Sequence, residues 1–547
     1  MFLFTSGYFV ERASHPGGVA DYLGNFLTQF YYYSWAGAAV LAGVLWGMQR
    51  LVAFIAGRMG ECSLWYPLTL LPSLCFFILL CDENYLLSGA LSACMVLGAV
   101  AGYTCIFNPV VRRISLWAGI PVLYMLAGGC AWLFIPLALM VEFWRFGTKH
   151  SSLWLPAGGA ILVAGVTIWA SRWLFPYPMD RLLWGIGSYR FPLFFPKAQV
   201  VAWIALVLVP PLVARLPGKI TRGRYVVALT GQFLLMLLAM NLLGKRSIAM
   251  NKEAVMAYDY HVRMQDWDGI IVLAGKNLPD TPMAVSYLNL ALGMKGQLAD
   301  RMFHYRQRGK EGLFMSFVND FTIPLVAAET YYYLGMVNTA QQLVFEAMEA
   351  IPDYQKSVRC FKRLAETNLI NGRYEVAGKY LRILQHTLFY KDWATEMLAC
   401  LDDEARIDAH PEYGRLRKLT PQTDLFFNPA EPEMTLSLLL QANPENRMAY
   451  EYLMGITLLK KDMGRFVHYY PLGEKLGYRS IPKSYQEALL FGWSMQKHTP
   501  GEEIPWKINR ETGERLREYA RIYTSTRSEE ALASRFGDTY WFYVHFR

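Results

Sequence analysis

Glu11 and Asp21 lie in an N-terminal segment ahead of the first long apolar run, where a carboxylate outside a membrane could serve as a general base. A third acidic residue, Glu142, closes another apolar run. Arg145 follows three residues later on the same helical face, so an ion pair between Glu142 and Arg145 is the simpler reading and a proton relay the costlier one. The nine histidines are scattered, and none is spaced from another or from a cysteine as metal ligands are, so no metal and no cofactor are expected. No GxxxxGK[ST], HExxH, GxSxG or strand-flanked GxGxxG occurs. Six of the eight cysteines, Cys62, Cys75, Cys81, Cys94, Cys105 and Cys130, fall in or beside apolar runs and behave as small apolar residues. Cys360 and Cys400 stand apart from them. A location outside the cytoplasm would permit them to pair, whereas helical packing would leave both buried and free.

The elements that position these residues divide into two unlike halves. Of the 547 residues, 54% are hydrophobic and only 18% charged, which is too apolar for a soluble enzyme of this length. Residues 1–246 carry 17 Lys and Arg against 7 Asp and Glu, and residues 247–547 carry 36 against 37. The net charge of +9 therefore belongs to the apolar half, which orients a membrane protein and argues against nucleic-acid binding. Apolar runs at 33–56, 64–81, 85–107, 114–144, 153–175, 198–215 and 225–243 predict about seven crossings of a bilayer that takes about 20 helical residues per span. Gly98 with Gly102, and Ala160 with Ala164, have the spacing that lets neighbouring helices approach.

The run from 114 to 144 is longer than one span needs and contains Pro121, Gly128, Gly129 and Pro136. It is either one long tilted helix or a broken one that turns back. Arg50, Arg58, Arg112, Arg113, Arg145 and Lys149 mark connections as cytoplasmic, as do Arg215, Lys219, Arg222 and Arg224, while Asp82 and Glu83 mark one as external. These charges agree only if the long run returns to its starting side. The N-terminus and the C-terminal half then lie outside the cytoplasm. Residues 1–32 lack the pattern of a signal peptide. Val19, Leu23, Phe26, Leu27 and Phe30 recur at helical spacing before Tyr31–Tyr33, which predicts a helix in the membrane interface with Asp21, Asn25 and Gln29 facing away. The aromatic connection 173–197 has the same interfacial character.

The stretch YYYLGMVNTAQQLVFEAMEAIPDY, residues 331–354, changes the pattern. With Gly335 ending a first helix, Ala340, Ala347 and Pro352 take the positions at which a tetratricopeptide repeat places small residues and its closing proline, and the segment resembles that repeat. The next unit repeats the order with Leu364, Ala365, Gly372, Tyr374 and Ala377, and weaker copies surround Trp267, Gly296 and Gly455. A loop at 417–433 separates two stacks, and TYWFYVHF at 539–546 is expected to dock back as a cap. The resemblance implies a stack of helical hairpins presenting a surface for a protein or peptide partner, and no reaction.

The whole chain also resembles an uncharacterised family of bacterial multi-pass membrane proteins, through Phe2–Phe9, Pro16–Gly18 and Phe26–Tyr33 at the start and Gly537–Phe546 at the end. The expected fold is all-α: an external interfacial segment (1–32), a polytopic transmembrane helix bundle (33–245) and a tetratricopeptide-like α-solenoid (246–547). The expected function is a scaffold in the bacterial inner (plasma) membrane that recruits a partner for cell-envelope assembly. A second reading comes from similarity in plan to membrane glycosyltransferases using lipid-linked sugars. That reading makes Glu11 or Asp21 the base, yet the loop lacks the adjacent acidic pair. A transporter subunit is the third, and the spans offer few polar residues to line a path.

Overall fold

The protein is described by a computed structural model over residues 1–60, 64–185, 197–216, 222–318, 320–351, 356–423, 425, 427–496 and 503–547. The fold is all-helical; among the described residues the only β-type pairing is an isolated bridge between Arg308 and Lys310. Two compact units emerge, Met1–Ala249 together with His386–Phe389, and Met250–Gln385 together with Tyr390–Arg547.

The first unit opens with α1 (Ser6–Ala13) and α2 (Gly18–Thr28). The apolar stripe of α2 is not the face that packs inside the unit. Gly18, Ala20, Asp21 and Gly24 are buried instead, and Leu23 is exposed. The reason is close approach: a Cβ on Gly24 would lie 3.0 Å from the Ser88 backbone nitrogen, so the small face of α2 packs on a neighbouring helix as larger residues could not. Among the described residues six helical segments are long and apolar enough to cross a membrane, Ser34–Met59, Leu87–Thr104, Pro109–Trp144, Ser151–Leu174, Lys197–Arg215 and Gly223–Ser247, with a shorter apolar one at Tyr66–Leu80. They contain α3 (Ser34–Met59), α4 (Leu71–Leu80), α5 (Leu87–Thr104), α6 (Pro109–Ala127), α7 (Phe134–Trp144) and α8 (His150–Leu174). After the short α9 (Met179–Trp184) come α10 (Lys197–Arg215) and α11 (Arg222–Ser247).

The long apolar run doubles back. Its helix passes through Pro121 and ends where Gly128 adopts φ 61°, a 3₁₀ turn covers Gly128–Leu133, and α7 then returns. Arg112 near the start and Glu142 near the end touch at 2.7 Å, whereas an unbroken helix of thirty residues would hold them about 45 Å apart. The return brings helix ends together. Arg145 donates to the carbonyls of Thr104 in α5 and Arg58 in α3, and its neighbour Trp144 lies under the Arg215 guanidinium of α10. One end of the unit therefore gathers Arg58, Arg112, Arg145 and Arg215. At the other end Gly17, Ser88, Gly128, Gly185 and Gln199 surround a cavity of about 20 Å³, room for one water. The Gln199 side-chain carbonyl is buried there without a hydrogen-bond partner among the described residues. Of the small-residue pairs, Ala160 is fully buried, whereas Gly98 and Gly102 face open space.

The second unit is built of helical hairpins. It begins with α12 (Met250–Arg263), α13 (Trp267–Lys276), α14 (Pro282–Met294), α15 (Leu298–Arg301), α16 (Ile323–Leu334) and α17 (Val337–Glu349). It continues with α18 (Val358–Ile370), α19 (Tyr374–Leu384), α20 (Lys391–Leu398), α21 (Glu404–Ala409), α22 (Tyr413–Leu419), α23 (Pro432–Ala442) and α24 (Arg447–Leu459). The last helices are α25 (Met463–Tyr469), α26 (Lys483–Ser494), α27 (Arg510–Thr526), α28 (Glu529–Phe536) and α29 (Tyr540–Phe546).

One turn geometry recurs in this unit. At Gln265, Gly296, Gly335, Gly372 and Lys461 the backbone goes left-handed, and the N–H of the following residue reaches a carbonyl five residues back, as Met336 does to Tyr331 and Asp462 to Thr457. Glycine is absent from the first and last of these turns, so only the turn geometry marks them. Gly455, around which a weaker copy of the repeat is expected, lies inside α24 beside Leu313 and Met302. Ala340, Ala347, Ala365 and Ala377 are fully buried between hairpin helices. Pro352 lies outside the described residues.

Two of the turn glycines differ in what surrounds them. A Cβ on Gly335 would sit 2.8 Å from that of Leu419 and 3.1 Å from its backbone, whereas Gly372 has open space. Gly372→Ala is expected to cost about 1 kcal/mol, the left-handed penalty alone. Gly335→Ala should cost at least about 1 kcal/mol more because backbone has to move. Urea midpoints of the two variants check the order; equal losses would contradict it.

The terminal aromatic run forms α29 and docks: the Trp541 indole donates to the Glu487 carbonyl at 2.8 Å, the Tyr543 hydroxyl to the Leu459 carbonyl at 2.9 Å, and the Tyr540 N–H to the Glu487 carboxylate. Burial pushes the Glu487 carboxyl up to about 7 from its ordinary value near 4.5. An acid whose pKa rises on folding contributes fully below the unfolded value and loses its contribution as pH climbs through the folded one. The second unit is therefore expected to weaken by about 3 kcal/mol between pH 4.5 and 7. Glu487→Gln, which keeps the acceptor for Tyr540, should flatten that slope. Melting temperatures from pH 5 to 8 test it, and a slope unchanged in the variant would refute it.

Candidate functional site

The amphipathic α17 has one face of Ala340, Leu343, Val344 and Ala347, buried against its neighbours. The opposite face carries Asn338, Gln341, Gln342, Phe345 and Glu346 at spacings of three and four residues, so these side chains form one stripe. That stripe is one wall of a groove of about 700 Å³. Arg373 and Tyr380, two turns apart at the start and middle of α19, form the other wall, and Phe317 and Phe427 close one side. Phe427 is itself wedged among Phe314 and Tyr331, with ring centroids 5.3 and 4.7 Å away, which fixes the position of an otherwise irregular loop.

The lining is aromatic and amide-rich. Phe345 is 48% and Phe317 45% exposed, so large apolar faces stand open where a folded monomer would normally cover them. The Gln342 amide donates to Glu346 at 2.8 Å, and the Asn371 amide to Asn338 at 2.8 Å across adjacent hairpins. The Arg373 guanidinium makes no ion pair among the described residues. Among the described residues that line the groove no nucleophile is paired with a base, and its volume and mixture of rings with a few polar groups resemble those of ligand pockets. A charged network lies behind it on α18: Arg363 bonds Glu329 at 2.5 Å and Glu366 at 2.8 Å, and Arg359 bonds Asp259 at 2.7 Å and Glu329 at 3.0 Å.

The residues singled out from sequence lie elsewhere. Asp21 is buried and held by Arg12 at 3.2 Å, while Glu11 is exposed. The pairing expected between Glu142 and Arg145 is replaced. Glu142 takes Arg112 through two hydrogen bonds of 2.7 and 3.0 Å, and the hydroxyls of Tyr103 and Thr148 complete its shell. Arg145 turns to backbone carbonyls instead, because the returning helix puts Arg112 closer to the carboxylate. Cys360 and Cys400 are both buried and free. Sequence reading missed the groove residues. The signal was a phenylalanine on the amide face of α17, two turns from Asn338, where the helix has nothing of its own to bury it against.

No curated protein and no solved structure matches the chain. A family model matches it from residue 1 to residue 547, and the protein is a member of the family of unknown function DUF6057.

Proposed function

We propose that this chain is an integral membrane scaffold whose second unit binds a protein or peptide partner, in assembly of the bacterial cell envelope. The observation that carries the reading is the open aromatic and amide groove beside α17 and α19. Tetratricopeptide-like packing is supported by the five recurrent left-handed turns and by fully buried alanines at the hairpin contacts. On this reading residues 1–32 form an external segment, 33–245 the membrane bundle and 246–547 the binding domain.

Placement in the inner membrane, with the binding domain outside the cytoplasm, is supported by the basic helix ends gathered at one end of the first unit. Near its middle α11 passes Leu64, whose carbonyl accepts from Gln232, and near its finish Gly244 meets Phe77 in α4. That course takes α11 itself away from the basic end.

The test replaces Phe345 with a photo-crosslinking residue in cells, with the same replacement at the exposed Arg510 as reference. A discrete adduct from position 345 and none from 510 is the expected result; equal labelling at both sinks the scaffold reading. A cysteine placed near Arg547 in a background lacking the native ones should react with a membrane-impermeant reagent on intact cells. Protection relieved only by lysis would reverse the sidedness.

A further inference from the structure

The groove is polar in a directional way. α17 and α18 run antiparallel, as do α18 and α19, so α17 and α19 lie parallel and both N-termini face the same end. That end carries Arg373, which makes no ion pair among the described residues although Glu375 stands in the first turn of α19, and the positive ends of two helix dipoles add to it. Eight residues along α17 from Asn338, Glu346 presents a carboxylate whose hydrogen-bond donor is the neutral Gln342 amide. The rings of Phe345 and Tyr380 stand toward that second end, and Phe317 and Phe427 line the groove beside Tyr331 of α16. Eight helical residues span about 12 Å, the length of three to four residues of extended peptide.

We infer that the groove takes an extended segment of a partner protein in which an acidic side chain at the Arg373 end lies three to four residues from a basic one at the Glu346 end, with an aromatic side chain between them. This rests on the partner-binding reading above and gives it a sequence preference. The side-chain amides suit main chain, since each both donates and accepts, and Gln341 has no side-chain partner among the described residues. A neutral glycan strand would stack equally well on the rings. It would leave Arg373 and Glu346 without counter-charges, which is why the peptide is favoured.

The experiment measures fluorescence anisotropy of a labelled peptide, Gly-Ser-Asp-Gly-Phe-Gly-Lys-Ser-Gly, against the full chain in detergent micelles. Its companion has lysine in place of aspartate. The acidic peptide is expected to bind at least about tenfold more tightly than its companion. Arg373→Glu should reverse that order, and Phe345→Ala should weaken both. Both side chains are exposed, so the melting temperature should hold in each variant. A preference that is absent, or that survives Arg373→Glu, overturns the inference. If both peptides bind equally and both are lost in Phe345→Ala, the charge assignment fails while partner binding stands. If neither peptide binds at about 1 mM and a labelled N-acetylglucosamine hexamer does, in a Phe345-dependent way, both the inference and the reading beneath it fail. No binding by any of the three probes also overturns the inference.

Discussion

Arg112→Leu is expected to destabilise the membrane unit by about 3–5 kcal/mol, enough to lose the folded bundle in all but the mildest detergents. The guanidinium meets both oxygens of Glu142, donates to the Phe107 carbonyl at 2.8 Å, and lies 3.6 Å above the Phe146 ring. With leucine in its place the buried Glu142 carboxylate keeps two hydroxyl donors and no counter-charge. The pair also joins the two ends of a doubled-back segment, so its loss frees α7 from the start of α6. Replacing both members, Arg112→Leu with Glu142→Leu, removes the unpaired charge and should recover much of the loss, because two apolar side chains of similar volume need no desolvation. Thermal unfolding followed by tryptophan fluorescence separates the three proteins. A single variant that melts with the wild type would mean that the pair holds nothing.

This ion pair also marks where sequence reading reached and where it stopped. Glu142 was identifiable as costly in a membrane because it interrupts an apolar run, and the nearest cation along the chain was Arg145. Proximity in sequence gave the wrong partner because the choice was made by a tertiary event, the reversal at Gly128 and Gly129. Glycines at that point permit a reversal without requiring one. The basic clusters required a return to one side, and the geometry at Arg58, Thr104 and Arg145 agrees with that demand.

In the second unit, Gly335 and Gly372 were legible because glycine is the residue that tolerates the left-handed turn. The equivalent turns at Gln265 and Lys461 were hidden because other side chains pay that cost there. The glycine of the corresponding repeat copy, Gly455, lies inside α24, six residues before the turn at Lys461. The groove was the least legible feature. Its walls come from α17, α19 and two loops, and no local pattern records that Phe317 and Phe427 are brought to the same side as Phe345.

Arg363→Met is expected to cost the second unit about 3–5 kcal/mol, comparable to the loss at Arg112 but by a different route. Arg363 bridges Glu329 and Glu366, lies 3.7 Å above the Tyr332 ring, and comes within 4.0 Å of Glu412. Burial alone would lower its pKa, yet Glu329 and Glu366 more than offset that and hold it well above the ordinary arginine value. Methionine has the length and not the charge, so the variant leaves carboxylates from α16, α18 and the segment before α22 facing one another. Arg363→Lys keeps the charge but cannot fork onto two carboxylates while stacking on a ring, and should fall between. Urea unfolding orders the series, and combining Arg363→Met with Glu329→Gln should be less damaging than the sum of the single losses, because the residues are in contact. Additive losses would show that Arg363 acts through packing alone. The consequence extends to binding: Arg363 is followed on α18 by Leu364, which also lines the groove, so a network that fixes the register of α16, α18 and α22 also fixes the distance between the groove walls. Arg363→Lys should therefore weaken partner capture at Phe345 even under conditions in which the unit stays folded.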